Sequence, residues 1–335
     1  MAINSAIRDE EARLRTSLPF LEHQSAIALS IWALSLTAML SLAAAYLHGA
    51  LPALLVIPCS AFFASLLHEL EHDLIHNLYF KGAAHKWVQD VLFFGIWVAK
   101  LSLNPWTRRG WHLLHHRRSG QVEDVEERLL GLGVKNLPLR LASAVLPWLA
   151  AIYVIGMKRE VPRDKLAYKT LRGAHCSLER LTQNVDMAFI MSPVIAAVLA
   201  ARGSKGAAAF LVCWAGPNVL RHACLALMSS FSHYYGDVDP SNVMQQNQIL
   251  RHWALLPLQA FCCNFGAGEC VLCLCVFLCV VCAVCVWVLL YFTPPLITPA
   301  EQSTSFTTML SRSLFGCGMA CVARPGRQWK RKEYE

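Results

Sequence analysis

Charged residues are scarce in this sequence. They make up 16% of its 335 residues, whereas 56% are hydrophobic, and the mean hydropathy is positive. This composition excludes an ordinary soluble domain and predicts a polytopic membrane protein. The net charge is +8. Basic residues next to membrane helices commonly face anionic lipid, so the charge is not an indication of nucleic-acid binding.

Cysteine is also sparse over most of the chain, although the total is 14. Only Cys59, Cys176, Cys213 and Cys224 precede residue 260, and the others lie from residue 262 to residue 321, mostly in an apolar run. A cysteine pattern of this kind does not predict the disulfide scaffold of a small secreted domain.

Long apolar runs predict an all-α fold that begins with a transmembrane hairpin. Residues 1–24 are polar, carry no evident cleavable signal peptide, and are expected to form a cytosolic tail. The runs 25–47 and 51–67 are each long enough to cross or nearly cross a bilayer, and a turn with Gly49 and Pro52 joins them. Their outer ends therefore lie on one side of the membrane.

The remaining apolar runs predict an interfacial helix and a second hairpin. Asp90 and Lys100 interrupt the short run 87–103, which favours an interfacial or re-entrant helix over a full span. The charged connection 158–186 is expected to be cytosolic by the positive-inside rule. Three further apolar segments follow the interfacial helix, and the last two are predicted to form the second hairpin: 139–157, 187–201 and 206–220.

Histidines concentrate at the ends of two of these runs, although membrane helices normally exclude ionisable residues. An α-helix turns by about 100° per residue, so histidines spaced by three or four residues share one face. Neutral imidazole is a common ligand of Fe, Zn and Cu. The two groups therefore predict a metal site in a cytosolic cap, with these ligands: His68, His72 and His76 in the first group, and His112, His115 and His116 in the second.

Three later histidines are weaker candidates. His233 and His252 are equally well explained as ligands or as polar surface residues, and His222 is better explained as a residue near the membrane interface. A different enzyme class is also open, because His68-Glu69-Leu70-Glu71-His72 matches the HExxH pattern of zinc proteases. That function would leave the second histidine group without a role. A transporter that uses histidines as a proton or metal path would need ionisable residues near the middle of the spans, whereas here they cluster at the ends.

The two histidine groups and the alternating hairpins make residues 25–267 resemble the membrane fatty acid desaturase family, which also contains hydroxylases. The resemblance implies histidine boxes that hold two irons, dioxygen-dependent removal of hydrogens from a fatty acyl chain, and electrons from cytochrome b5 or ferredoxin. It implies an endoplasmic reticulum or plastid membrane, with the active site on the cytosolic or stromal side. No nucleotide-binding motif or fused cytochrome b5 domain is visible, so reducing power is expected from a separate partner.

The family's third box, a second HxxHH, is missing after Asn264-Phe265-Gly266, and no histidine follows residue 252. One explanation is a true additional helix at 270–292. The other is that 268–302 translate a retained intron and 303–335 are out of frame. Gly268-Glu269-Cys270 can be encoded with the splice-donor sequence GTGAGT, and a one-base shift lets the codons of 304–311 read His-Ile-Ile-His-His-Tyr-Val-Val. A chain without the third box is expected to be weak or inactive.

Overall fold

The computed structural model describes residues 9, 12, 13, 15–119, 124, 126, 127, 134, 136–146, 186–232 and 255–262. All of them belong to one compact unit, Met1–Val288. A second unit, Leu289–Glu335, lies outside the described residues, as does the whole predicted tail 268–335. Every regular element in the described ranges is helical, which confirms the predicted all-α class.

The first predicted hairpin is confirmed. Helix α1 covers Gln24–Leu47 and helix α2 covers Ala53–Ile75, and both are long and apolar enough to cross a membrane. The turn between them contains Gly49 with φ 72, a left-handed conformation that glycine adopts without steric cost. Helix α2 continues beyond residue 67 without a break, so the first histidine group extends the span by two further turns.

Helix α2 lies at the centre of the packing. Small residues on it are completely enclosed, and Phe62 and Leu67 are buried beside them. Because lipid tails are as apolar as leucine, helices in a membrane associate mainly through close packing, which small residues permit. The enclosed small residues are Ser60, Ala61, Ala64 and Ser65.

Two shorter helices follow and carry the second histidine group. Helix α3 covers Lys86–Lys100 and is held to α1 by Trp32, whose Nε1 donates to the Leu92 carbonyl at 3.2 Å. It is not among the three described helices that could span a membrane, in agreement with the prediction that it is not a full span. Helix α4 covers Pro105–Arg118, and Asn104 caps it by accepting from two backbone N–H groups.

The second predicted hairpin is also present, although its second arm is longer than predicted. Helix α5 covers Leu137–Val145, which is the only helical part of the predicted segment 139–157 that the structure describes. Helix α6 covers Asp186–Ala201, and a turn at Gly203 leads into the second arm. That arm consists of α7, a π-helical segment and α8, whose bounds are Lys205–Phe210, Leu211–Ala215 and Gly216–Ser232.

The second arm is longer than predicted. The apolar run ends near residue 220, but the helix continues to Ser232 because no proline or glycine interrupts it, and residues 205–229 form the third candidate span. Arg221 directly follows the predicted run 206–220, and it is buried against the bundle. Hydrogen bonds from Trp214 Nε1 to the Val98 carbonyl and from Asn218 Nδ2 to the Ala99 carbonyl, both 3.0 Å, fix the end of α3 beside this arm. A last short helix, α9, covers Leu256–Phe261.

Candidate metal centre

Four of the predicted ligands converge at the end of α2. One ligand nitrogen from each of four histidines lies within 4.8 Å of the others. Two of them come from the last turn of α2 and its C-cap, and two come from α4. We call them the four-histidine cluster: His72, His76, His112 and His116.

Helix geometry explains why these four meet. Residues four apart on a helix differ by about 40° in direction and about 6 Å along the axis, so two such imidazoles can reach one point. His72 and His76 form one such pair, and His112 and His116 form the other. The two pairs face each other, with a ring-centroid distance of 4.7 Å between His72 and His112.

The spacing of the nitrogens suits one metal ion. The Nε2 atoms of His76, His112 and His116 form a triangle with sides of 3.1, 3.0 and 3.0 Å. Two nitrogens bound to one ion at about 2.1 Å and at right angles lie about 3.0 Å apart. The three imidazoles are therefore placed like one face of an octahedral coordination shell, and His72 offers a fourth donor beside them.

The tautomer of His112 supports this interpretation. Its Nδ1 lies 2.8 Å from Oε2 of Glu126, and a carboxylate can only accept, so Nδ1 carries the proton and donates. Nε2 of His112 is then left with a lone pair that faces the other imidazoles. Arg108 and His112 hold the pKa of Glu126 at about 2 against the opposing effect of burial, so this carboxylate stays ionised and polarises the ring.

The surroundings favour neutral imidazoles and a bound cation. Burial and the neighbouring histidines lower the pKa of His116 to about 4 and also lower the pKa of His76. Neutral imidazole is the form that binds a metal. His76 is the C-cap of α2, so the negative end of the helix dipole lies at the cluster.

A tyrosine supports the cluster from the loop that follows α2. Tyr79 donates to Oδ2 of Asp73 at 2.6 Å, and Oδ1 of Asp73 lies 3.4 Å from Nδ1 of His72. Gln89 on α3 donates to the backbone carbonyls of Tyr79 and Phe80 and so fixes the loop. The hydroxyl of Tyr79 thereby orients a carboxylate that faces a cluster histidine.

His68 is one helical turn deeper and lies among charged groups instead. Nζ of Lys100 is 3.0 Å from its Nδ1, and the Arg108 guanidinium is 3.3 Å from its Nε2. Lys100 and Arg108 both donate to Glu71, with 2.9 Å from Arg108, and Arg108 also donates to Glu126 at 3.1 Å. We call Glu71, Lys100 and Arg108 the charged cluster.

The charges in this cluster are held by their partners. Burial lowers the pKa of Lys100 to about 7, although the contact with the Glu71 carboxylate opposes this. Burial also acts against the charge of Arg108, but the carboxylates of Glu71 and Glu126 raise its pKa further above the ordinary value. Arg108 thus links the deep carboxylate of α2 to the carboxylate that orients His112.

His115 points to a separate acidic group. Its Nδ1 lies 2.8 Å from Oδ2 of Asp124 and 3.7 Å from Oε1 of Glu127. Burial alone would lower its pKa, but the hydrogen bond to Asp124 and the nearby carboxylates raise it to about 9. Ser229 of α8 donates to Glu127 at 3.2 Å, so this group connects the end of α4 with the second hairpin.

The comparison with known proteins agrees with this arrangement. The family model described as fatty acid desaturase matches residues 44–267. The chain belongs to the fatty acid desaturase family. No curated protein and no solved structure matches the chain. The matched range contains both histidine groups and ends at residue 267. The third box that the resemblance implies is missing from the sequence after that point.

The other predicted ligands of this desaturase-family chain have different positions. His233 and His252 lie outside the described residues. His222 lies on α8, and its Nε2 is buried without a hydrogen-bond partner among the described residues. His68 and His115 are close to the cluster but not part of it, so their role as ligands stays a prediction.

Several supporting residues were missed by the sequence analysis. Lys100 was treated only as an interruption of an apolar run, and Arg108 was assigned no role. Lys100 is buried at the end of a helix that is otherwise largely apolar, and an ionisable residue there is itself a signal of function. Glu126 and Tyr79 gave no periodic signal in the sequence, because they lie outside the apolar runs.

Proposed function

We propose that the four-histidine cluster is the iron centre of a membrane oxidoreductase that acts on a fatty acyl chain. The observation that carries this proposal is the convergence of both histidine groups on one point within a chain of the fatty acid desaturase family. Four neutral nitrogen donors suit a first-row transition metal. Iron bound there supplies the activation of dioxygen that removal of hydrogens from an alkyl chain requires.

The protein's own residues perform the remaining tasks. Glu126 and Asp73 orient the imidazoles of His112 and His72. The apolar helices that could cross the membrane are expected to supply a dry surface for the acyl chain. An acyl chain needs such a dry surface so that a reactive centre is kept away from water. Desaturation and hydroxylation share this arrangement, and the position of the substrate C–H bonds decides between them, so a lipid hydroxylase is the alternative.

The electron donor and the location follow from the same proposal. A separate donor protein, cytochrome b5 or ferredoxin, delivers the electrons, and the chain lies in an endoplasmic reticulum or plastid membrane with the centre on the cytosolic or stromal side. Three helices long and apolar enough to cross a membrane support an integral membrane protein. The four-histidine cluster lies at the end of one of these helices, α2, where a centre at the membrane surface is expected.

The zinc-protease alternative has no support in the geometry. An HExxH site needs both histidines of the motif on one ion, but His68 contacts Lys100 and Arg108, whereas His72 belongs to the four-histidine cluster. Metal identity is therefore the discriminating observation.

The test is metal analysis combined with a product assay. The purified full chain is expected to retain iron and, with a reduced donor, to form a small amount of dehydrogenated or hydroxylated acyl product, detected by mass spectrometry. His112→Ala should abolish the product, and His85→Ala, an exposed histidine outside the cluster, should not. Retention of zinc, or a product that persists in His112→Ala, would refute the proposal.

A further inference from the structure

We propose that Arg108 is a positioning residue for the metal centre, because it holds Glu126 in the place from which that carboxylate orients His112. The proposal rests on the proposed function in one respect, namely that the four-histidine cluster binds a metal. It does not depend on which metal is bound or on how many ions the chain holds. The contacts of the Arg108 side chain carry it.

The carboxylate of Glu126 bridges Arg108 and His112. Glu126 is 14 residues from His112 in the chain, so the spacing within α4 does not place its carboxylate beside the ring. Oε2 accepts from Nδ1 of His112 at 2.8 Å, and Oε1 accepts from Nε of Arg108 at 3.1 Å. A carboxylate is rigid and planar, so a change in the position of one oxygen also moves the other. The contact with Arg108 therefore limits where Oε2 lies relative to the imidazole.

The other end of the guanidinium is anchored in the helical bundle. Nη1 of Arg108 donates to Oε1 of Glu71 at 2.9 Å, and Nη2 lies 3.3 Å from Nε2 of His68. The donors of a guanidinium point in fixed directions within one plane. The contacts with α2 therefore set the direction in which Nε of Arg108 points, and Glu126 lies in that direction.

The anchor itself is held by two further helices. Glu71 is completely enclosed and also accepts from Nζ of Lys100, whose side chain is 1% exposed, at the end of α3. The neighbouring carbonyl of Ala99 accepts from Nδ2 of Asn218 on α8 at 3.0 Å. Because these groups are buried, water does not readily replace their contacts. Arg108 thus transmits a position fixed by α2, α3 and α8 to a carboxylate beside the metal centre.

The position of Arg108 on α4 suits this role. Arg108 and His112 are four residues apart, so they share a face and are about 6 Å apart along the axis. One carboxylate can therefore contact both. Lysine would keep the positive charge, but its compact ammonium lacks the planar fork that contacts Glu71 and Glu126 in separate directions.

The experiment is a double-mutant cycle on metal affinity. The full chain is purified in detergent, and its affinity for Co(II) is measured by competition with a chelator of known affinity. Arg108→Gln and Glu126→Gln should each lower the affinity by about 10–100-fold. Since both act through one contact, the double variant should bind within about threefold of Glu126→Gln alone. Two independent effects would instead multiply.

Two further variants separate positioning from charge and from stability. Lys100→Met is the matched control, because it also removes a buried cation from Glu71, but its described contacts are with Glu71 and His68 and not with Glu126. Its affinity should change by less than about threefold. Arg108→Lys keeps the charge inside the bundle and should still lose about tenfold in affinity, so it also serves if Arg108→Gln does not fold.

Unchanged affinity in a folded Arg108 variant, losses that multiply in the double variant, or an equal loss in Lys100→Met would overturn the proposal. His112→Ala distinguishes this failure from failure of the proposed function. Affinity that persists in His112→Ala would refute the four-histidine cluster as the metal site. A loss in His112→Ala without a loss in the Arg108 variants would refute only the role of Arg108.

Discussion

The charged cluster and the four-histidine cluster lie next to each other at the end of α2, and they differ in what balances their polar groups. In the charged cluster, Glu71, Lys100 and Arg108 neutralise one another, and every charge has an opposite charge in contact. In the four-histidine cluster one turn away, nitrogen atoms face one another at 3.0–3.1 Å with no acid between them. The charges of the charged cluster balance one another, and loss of any one of them would destabilise the fold. The lone pairs of the four-histidine cluster converge on one point and are suited to a bound cation.

The largest expected effect comes from restoring the third box. If residues after 267 are replaced by a segment that continues Asn-Phe-Gly with the shifted-frame HxxHH, the chain should hold more iron than the unmodified chain, because the family resemblance implies three boxes around two ions. Acyl product should increase by at least about tenfold, since ligand-supporting groups alone change metal affinity or activity by about 10–100-fold. Metal analysis and the acyl product assay measure both changes.

The genomic sequence gives the control for this prediction. Intron boundaries are expected at about residues 268 and 302, together with a spliced transcript that contains the HxxHH. A reading frame that runs without interruption through related transcripts would show that the tail is a true C-terminal segment. The third box would then be absent from the functional protein itself.

The next effect concerns the charged cluster. Glu71→Gln keeps the size of the side chain but leaves Lys100 and Arg108 without their shared buried carboxylate. Removal of one partner from a buried ion pair costs roughly 3–5 kcal/mol. We expect a loss of that size in the free energy of unfolding in detergent, measured by denaturant titration, with metal still bound at saturating concentrations.

Glu22→Gln is the matched control, because Glu22 is exposed. It should change the free energy of unfolding by less than about 0.5 kcal/mol. Equal stability of the Glu71→Gln variant and the control would show that the charged cluster does not stabilise the fold. Complete loss of metal binding in a folded Glu71→Gln protein would place that carboxylate in the metal site.

Much of the fold follows from hydropathy alone. The runs 25–47 and 51–67 locate α1 and α2 to within a few residues at their apolar ends, because span length and turn residues are set by the bilayer and by glycine and proline. The end of α8 was missed by about three turns. Arg221 has the hydropathy of a residue outside the membrane, and only its burial in the bundle shows otherwise.

The sequence predicts which face of α2 carries the histidines, but not which of them meet in the structure. Helical spacing correctly put the first histidine group on one face, yet a shared face does not show which neighbours each ring contacts, and His68 lies beside Lys100 and Arg108. The roles of Lys100, Glu126 and Tyr79 depend on contacts between segments far apart in the chain. Spacing within one segment cannot show such contacts.

A smaller effect is expected where the two clusters are connected. Glu126→Gln removes the carboxylate that accepts from His112 and from Arg108. The amide holds the ring less firmly and does not increase its basicity, so metal affinity should fall by about 10–100-fold. Competition with a chelator of known affinity measures the change. Glu127→Gln, next to His115, is the control and should change affinity by less than about threefold. Equal affinities for the two variants would show that Glu126 does not act through His112.

The smallest effect is expected at Tyr79, which acts on the cluster through Asp73. Tyr79→Phe removes one hydroxyl that donates to the carboxylate at 2.6 Å. A hydrogen bond to a charged group contributes about 1.5–3 kcal/mol, but only part of that reaches His72, whose contact with Asp73 is 3.4 Å long. Metal affinity should therefore fall by less than about tenfold, while the amount of metal bound at saturation stays the same. Tyr46→Phe on α1 provides the control, since the Tyr46 hydroxyl has no hydrogen bond to any described residue, and it should leave affinity unchanged. An effect of Tyr79→Phe as large as that of Glu126→Gln would mean that the loop after α2 positions the cluster as strongly as the carboxylate that contacts it directly.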